Sequence, residues 1–98
     1  MPEIHAASVL VVEDDISIRE LLTTALRFAG HEVDSVGTGP DALQRLSTQP
    51  VDLVVLDVGL PGIDGFELCE LLRRRGDRTP IIFLTARREP DDLRAGFE

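Results

Sequence analysis

The chain has 98 residues, a formal net charge of −8 and a hydrophobic content of 43%. This length permits one domain, and the hydrophobic content is that of a folded globular chain, which excludes a disordered one. No apolar stretch approaches the roughly 20 residues of a membrane-spanning helix. The negative charge disfavours binding of nucleic acid phosphates by this segment. No secretory signal opens the chain, and its one cysteine cannot form an internal disulfide, so we expect a cytoplasmic protein.

Short apolar runs recur along the chain and predict four β-strands. Uniformly apolar runs are typical of strands buried on both faces, and the weaker second run alternates apolar and polar residues. The predicted strands are Val9–Val12, Glu32–Val36, Val51–Leu56 and Pro80–Leu84.

Helical spacing of apolar residues fills the intervals between these strands. The first helix should begin at a capping box formed by Ser17 and Glu20 and stop at Gly30. Pro40 suits the first turn of the second helix. A third helix begins with Phe66 and ends near Gly76, and the last pattern predicts a fourth helix over Asp91–Phe97.

Alternation of strands and helices predicts an α/β fold, a doubly wound parallel sheet with helices on both faces and right-handed crossovers. In such sheets ligands bind beyond the carboxyl ends of the strands. Functional residues are therefore expected directly after the strands.

Reactive side chains follow three of the four predicted strands: Glu13 and Asp14 after the first, Asp57 after the third and Thr85 after the fourth. If the first and third strands are neighbours, their ends lie about 5 Å apart. Carboxylates that close either raise a pKa or recruit a cation, and an all-oxygen set favours Mg²⁺. A carboxylate beside such an ion is a plausible nucleophile for phosphoryl transfer. The alternative is that these acidic residues only cap helices, as Asp15 could.

Three other classes of phosphate-binding protein fit the sequence less well or are excluded. The segment 37–42, Gly-Thr-Gly-Pro-Asp-Ala, matches the dinucleotide motif G-x-G-x-x-A. However, it follows the second strand, Pro40 lacks an amide hydrogen and Asp41 would repel the pyrophosphate. A phosphatase with an aspartate nucleophile would require a second aspartate two positions after Asp57, where Gly59 stands. A nucleotide-binding loop ending in G-K-[ST] is excluded because the chain has no lysine.

Three segments, Val9–Asp15, Asp52–Phe66 and Pro80–Ala86, resemble the receiver domains of two-component response regulators in order and spacing. The resemblance covers essentially the whole chain, and the segments 18–20 and 84–87 resemble the winged-helix transcription-factor branch. It implies a flavodoxin-like or CheY-like strand order 2-1-3-4 and a role in controlling an output, which we expect to be transcription. We expect residues 1–7 to be a flexible leader and residues 8–98 to be the receiver domain.

The resemblance also implies a role for each site residue. Asp57 would accept a phosphoryl group from the phosphohistidine of a sensor histidine kinase, and Thr85 would bind that group. Asp14, Asp57 and the backbone carbonyl of Gly59 would bind Mg²⁺, or Mn²⁺ in its place, with Glu13 acting mainly through water. Such a domain is not an enzyme on separate substrates and catalyses only its own phosphorylation and dephosphorylation.

Two departures from the family pattern matter. Gly59 stands where the family often has methionine, but metal binding would use only the backbone carbonyl. The family's fifth strand, with its lysine and the aromatic switch residue before it, has no counterpart before Glu98, so we expect an incomplete domain. The fourth strand would then be an exposed apolar edge through which copies self-associate. A receiver-like protein-interaction module that is not phosphorylated stays open as an alternative function.

Overall fold

The chain forms a parallel β-sheet with helices on both faces in a computed structural model that describes residues 6–84. The strand order in the described sheet is β2-β1-β3-β4, which confirms the predicted order and fold class. The predicted fourth helix, Asp91–Phe97, lies outside the described residues. In chain order the elements are β1 (Ser8–Val12), α1 (Ile16–Phe28), β2 (Glu32–Val36), α2 (Gly39–Thr48), β3 (Leu53–Asp57), α3 (Gly65–Arg74) and β4 (Ile81–Leu84).

Strand β1 is apolar on both faces because helices cover both faces of the sheet. Val9 and Val11 belong to one core cluster, against which Leu22 and Leu26 of α1 pack. Leu10 and Val12 belong to the opposite cluster, together with buried residues of α2 and α3. The buried helical residues of that second cluster are Ala42, Leu46, Leu68 and Leu72. None of the helices within residues 6–84 is long and apolar enough to cross a membrane.

Helix α1 does not begin at the predicted capping box. Asp15 is its N-cap residue, and the Asp15 side chain accepts a hydrogen bond from the Ile18 amide at 3.0 Å. The prediction for Ser17 and Glu20 was wrong because the carboxylate two residues earlier already satisfies a free amide of the first turn. Gly30, with φ of 101°, follows the helix as predicted.

Side-chain caps define the first residues of α2 and α3. Thr38 caps α2 through the Asp41 amide, and Pro40 stands in the first turn as predicted. A capping box that the sequence analysis did not identify starts α3: Asp64 accepts from the Glu67 amide, and the Glu67 side chain accepts from the Asp64 amide. Since α2 follows β2 and α3 follows β3 in the chain, both helices start beyond the carboxyl ends of strands.

Strand β3 is shifted toward its carboxyl end relative to the prediction. It runs from Leu53 to Asp57, whereas Val51 is buried before the strand pairing begins. Asp57 pairs with Leu84 of β4 in the parallel register. The candidate nucleophile is consequently the last residue of a central strand, held there by its pairing with β4.

Candidate functional site

The carboxyl ends of β1 and β3 bring three acidic side chains together. In the register of these two strands Val12 pairs with Leu56, so Glu13 follows at the level of Asp57. One oxygen from each carboxylate of Glu13, Asp14 and Asp57 lies within 4.8 Å of the others. Glu13 and Asp57 are buried, whereas Asp14 is exposed. The cluster is therefore buried at Glu13 and Asp57 and open to solvent at Asp14.

Glu13 is held in the buried part of the cluster by hydrogen bonds through its backbone amide and its side chain. Its amide donates to the Val36 carbonyl at 3.1 Å, and its Oε2 accepts from the Asp15 amide at 3.0 Å. Its Oε1 is buried and has no hydrogen-bond partner among the described residues. An unpartnered buried carboxylate oxygen is costly, so this atom requires a proton or a cation.

Burial raises the pKa of Glu13 from 4.5 to about 7. The Asp15 amide partly offsets this effect, while the neighbouring side chains of Asp14 and Asp57 raise the pKa further. Burial is the main cause because it removes water from the charged form of Glu13, and the two neighbouring carboxylates disfavour that form further unless a positive charge is present. The cluster fits a hard divalent cation: its donors are all oxygen, one oxygen lacks a partner, and few protein ligands leave room for water, as Mg²⁺ prefers.

Asp57 is positioned by the loop that follows it. Its Oδ1 accepts a hydrogen bond from the Gly59 amide at 3.0 Å. The Val58 amide donates to the Leu84 carbonyl at 3.0 Å, and the Gly65 amide donates to the Val58 carbonyl at 3.0 Å. The loop is thus tied to β4 on one side and to the first residue of α3 on the other.

The structure brings together Glu13, Asp14 and Asp57 and places Gly59 beside Asp57. Thr85 lies outside the described residues, so its predicted place in the site stays a prediction. Asp15 is a helix cap, which confirms the structural interpretation offered for that residue. Arg19 was not predicted as part of the site, and its Nη1 donates to the Glu13 carbonyl at 3.2 Å. No local pattern marks Arg19, since its contact depends on how α1 packs.

The dinucleotide-like segment serves a different purpose in the structure. Gly39 is buried in the first turn of α2, and a Cβ there would lie 3.1 Å from Cβ of Ile63. The Asp41 amide, which a bound phosphate would require, already bonds Thr38 Oγ1 at 3.2 Å. The segment therefore forms a tightly packed helix start next to the acidic site.

A parallel sheet in the order 2-1-3-4 with an acidic cluster at its carboxyl edge defines the class of CheY-like α/β proteins. Residues 9–98 match the family described as response regulator receiver domain. The chain belongs to this family.

Curated relatives agree with this assignment. The transcriptional regulatory protein AfsQ1 of Streptomyces coelicolor is 50% identical over 91 residues, covering 93% of this chain and 40% of that protein. The transcriptional regulatory protein TcrA of Mycobacterium tuberculosis is 45% identical over 95 residues, covering 97% of this chain and 38% of that protein. The chain thus spans about two fifths of the length of these relatives.

The fold is also similar to those of solved receiver structures. The chemotaxis response regulator CheY4 of Vibrio cholerae superimposes with a TM-score of 0.80 and 34% identity. The match covers 95% of this chain and 79% of that one.

Proposed function

We propose that this chain is the phosphoacceptor receiver of a two-component response regulator, with Asp57 as the residue that takes the phosphoryl group. The single observation that supports this most directly is the cluster of Glu13, Asp14 and Asp57, whose carboxylate oxygens lie within 4.8 Å of one another. The donor of the phosphoryl group would be a sensor histidine kinase.

Residues of the cluster divide into a nucleophile and ligands. Asp57 Oδ1 is held by the Gly59 amide, and its Oδ2 has no hydrogen bond within the described residues, so Oδ2 is the better placed nucleophile. In the reaction the new P–O bond forms on Asp57 while the P–N bond of the phosphohistidine breaks, and the imidazole leaves with the electron pair. Asp14, Asp57 and the Gly59 carbonyl would hold Mg²⁺ or Mn²⁺, with Glu13 acting through water.

A bound divalent cation would neutralise charge on the transferring phosphoryl group. Burial of Glu13 and Asp57 keeps bulk water from most of the site, which strengthens the interactions at its open end. Thr85 follows β4 in the sequence and would donate its hydroxyl to the phosphoryl oxygens. The domain would catalyse only its own phosphorylation and dephosphorylation.

The output proposed for this chain is control of transcription, because AfsQ1 and TcrA are named transcriptional regulatory proteins. The segment itself, with a net charge of −8, would not bind DNA directly. A cytoplasmic location is also proposed, because the one cysteine cannot form an internal disulfide.

We also propose that copies of this chain associate with one another through β4. Strand β4 stands at one edge of the described sheet, where Ile82 is 52% and Phe83 is 38% exposed. Light scattering at tens of micromolar should show a dimer that Ile82→Lys weakens. A monodisperse wild-type monomer would remove this proposal without affecting the phosphoacceptor site.

The phosphoacceptor proposal is tested by intact-protein mass after incubation with acetyl phosphate and MgCl₂. We expect an increment of one phosphoryl group, lost with EDTA and lost in Asp57→Asn. The exposed residue Asp41, at the start of α2, supplies the control Asp41→Asn, which should be labelled like the wild type. Absence of the increment in the wild type would favour the interaction module that is not phosphorylated.

A further inference from the structure

Arg19 of α1 contacts the backbone of the acidic site. Its Nη1 donates to the carbonyl oxygen of Glu13 at 3.2 Å, and the residue is half-buried. This carbonyl belongs to the peptide that joins Glu13 to Asp14. The guanidinium therefore bonds the peptide that carries an exposed member of the cluster.

The other hydrogen bonds of this loop are made by the neighbouring peptides. The Glu13 amide is bonded to β2 through the Val36 carbonyl, and the Asp15 amide is bonded to Glu13 Oε2. Both bonds lie outside the Glu13–Asp14 peptide, and the exposed Asp14 side chain has little packing to orient it. Within the described residues, Arg19 is the one hydrogen-bond donor to the Glu13 carbonyl.

Gly37, at the end of β2, leaves space for this guanidinium. A Cβ on Gly37 would lie 2.5 Å from Arg19 Nη1, while the Glu13 carbonyl oxygen would be 3.9 Å away. The backbone of Gly37 has no positive φ, so alanine can adopt it without strain. An alanine at this position would displace the flexible end of Arg19 and leave the surrounding backbone in place.

We propose that Arg19 is a positioning residue for metal binding, with Gly37 providing the space its guanidinium occupies. The inference rests on the proposed function, because it requires a divalent cation at Asp14. It also gives a reason for Gly37, the first glycine of the dinucleotide-like segment, which the phosphoacceptor role does not explain.

The direction in which Mg²⁺ affinity changes when Arg19 is replaced distinguishes a positioning role from a purely electrostatic one. Arg19 carries a positive charge, so its removal would by electrostatics alone strengthen Mg²⁺ binding. Loss of the hydrogen bond to the Glu13 carbonyl would instead let the peptide rotate and weaken binding. Residues that orient metal ligands typically change affinity by about tenfold or more when replaced.

The test is calorimetric titration of the whole chain with MgCl₂ for the wild type, Arg19→Met, Gly37→Ala and the double variant. We expect each single variant to bind Mg²⁺ about tenfold more weakly. The double variant should bind no more weakly than Arg19→Met, since both changes remove the same hydrogen bond. The urea midpoint of Gly37→Ala in EDTA should match that of the wild type.

Gly39→Ala is the matched control because its Cβ would meet Ile63 and not Arg19. Its effect on Mg²⁺ affinity should be the same with Arg19 present or replaced. Equal or tighter binding by Arg19→Met would overturn the inference, as would a Gly37→Ala effect that persists without Arg19. A wild type that binds no Mg²⁺ would overturn the proposed metal site itself, which is a separate result.

Discussion

Gly65 lies directly against the backbone of Asp57. A Cβ on Gly65 would be 2.5 Å from the Asp57 carbonyl oxygen and 2.9 Å from Cα of Val58. Helix α3 therefore begins in contact with the end of β3, and the loop between them turns back beside the candidate nucleophile. The close approach is possible because glycine has no side chain.

Replacing Gly65 with alanine should destabilise the protein. The added methyl group meets backbone atoms that cannot move independently, so the unfolding free energy should fall by about 2 to 3 kcal/mol in urea titrations. Gly59→Ala is the matched control, since its Cβ would meet Asp57 Oδ1 at an ordinary 3.8 Å. Its change should stay within about 0.5 kcal/mol. Equal losses in the two variants would refute the steric argument.

Glu13 should make stability depend on pH in the absence of metal. The folded protein holds a proton on Glu13 up to a pKa of about 7, whereas the unfolded chain releases it near 4.5. The unfolded state thus binds fewer protons between these values, and the unfolding free energy in EDTA should fall as pH rises through this window.

The variant Glu13→Gln should lose this slope and be more stable than the wild type at pH 8 by about 1 to 3 kcal/mol. Urea titrations in EDTA at pH 5 and pH 8 provide the measurement. Glu20→Gln, on the exposed face of α1, should keep the wild-type slope. If the unfolding free energy of Glu13→Gln still falls with pH as in the wild type, another group causes the pH dependence.

Added MgCl₂ should stabilise the protein more at pH 8 than at pH 5.5. Protons and Mg²⁺ compete for the same carboxylates, and Glu13 is largely protonated below its pKa of about 7. At one hundred times its Kd a ligand adds about 2.7 kcal/mol to the unfolding free energy, which thermal melts resolve. Asp14→Asn should abolish the rise in Tm, whereas Asp41→Asn should retain it. An equal rise at both pH values would contradict the linkage.

Asp77 stabilises the turn that leads from α3 to β4. Its Oδ1 accepts from the Thr79 hydroxyl at 2.6 Å and from the Thr79 amide at 2.9 Å, and these bonds lower the pKa of Asp77 below 3.8. A lowered folded pKa contributes stability above 3.8 that is lost as pH falls through the folded value.

We therefore expect Asp77→Ala to cost about 1 kcal/mol at pH 7 and less at pH 3. Asp77→Asn keeps an acceptor without the charge, so its loss relative to the wild type should be smaller at pH 7 and should also shrink at pH 3, where Asp77 of the wild type begins to be protonated. Chemical unfolding at the two pH values measures both variants. A loss in Asp77→Ala that is the same at pH 3 would argue that packing, not the charged hydrogen bonds, accounts for it.

Most of the fold was predictable because the apolar pattern reports directly on burial. The run Val9–Val12 is apolar throughout, and the structure covers it with helices on both faces. The bounds of the elements were harder to predict, because a helix start depends on which nearby side chain bonds a free amide of the first turn. Asp15 therefore starts α1, although Ser17 and Glu20 have the spacing of a capping box.

The sequence by itself determined which acidic residues meet. Glu13, Asp14 and Asp57 follow strands, and parallel neighbours end at one edge of a sheet, so the cluster needs only the strand order. Tertiary structure alone decided the unpartnered oxygen of Glu13, the reach of Arg19 to the Glu13 carbonyl and the contact of Gly65 with Asp57. These features depend on distances of a few ångströms between segments far apart in the chain, and such distances follow from packing that no local pattern encodes.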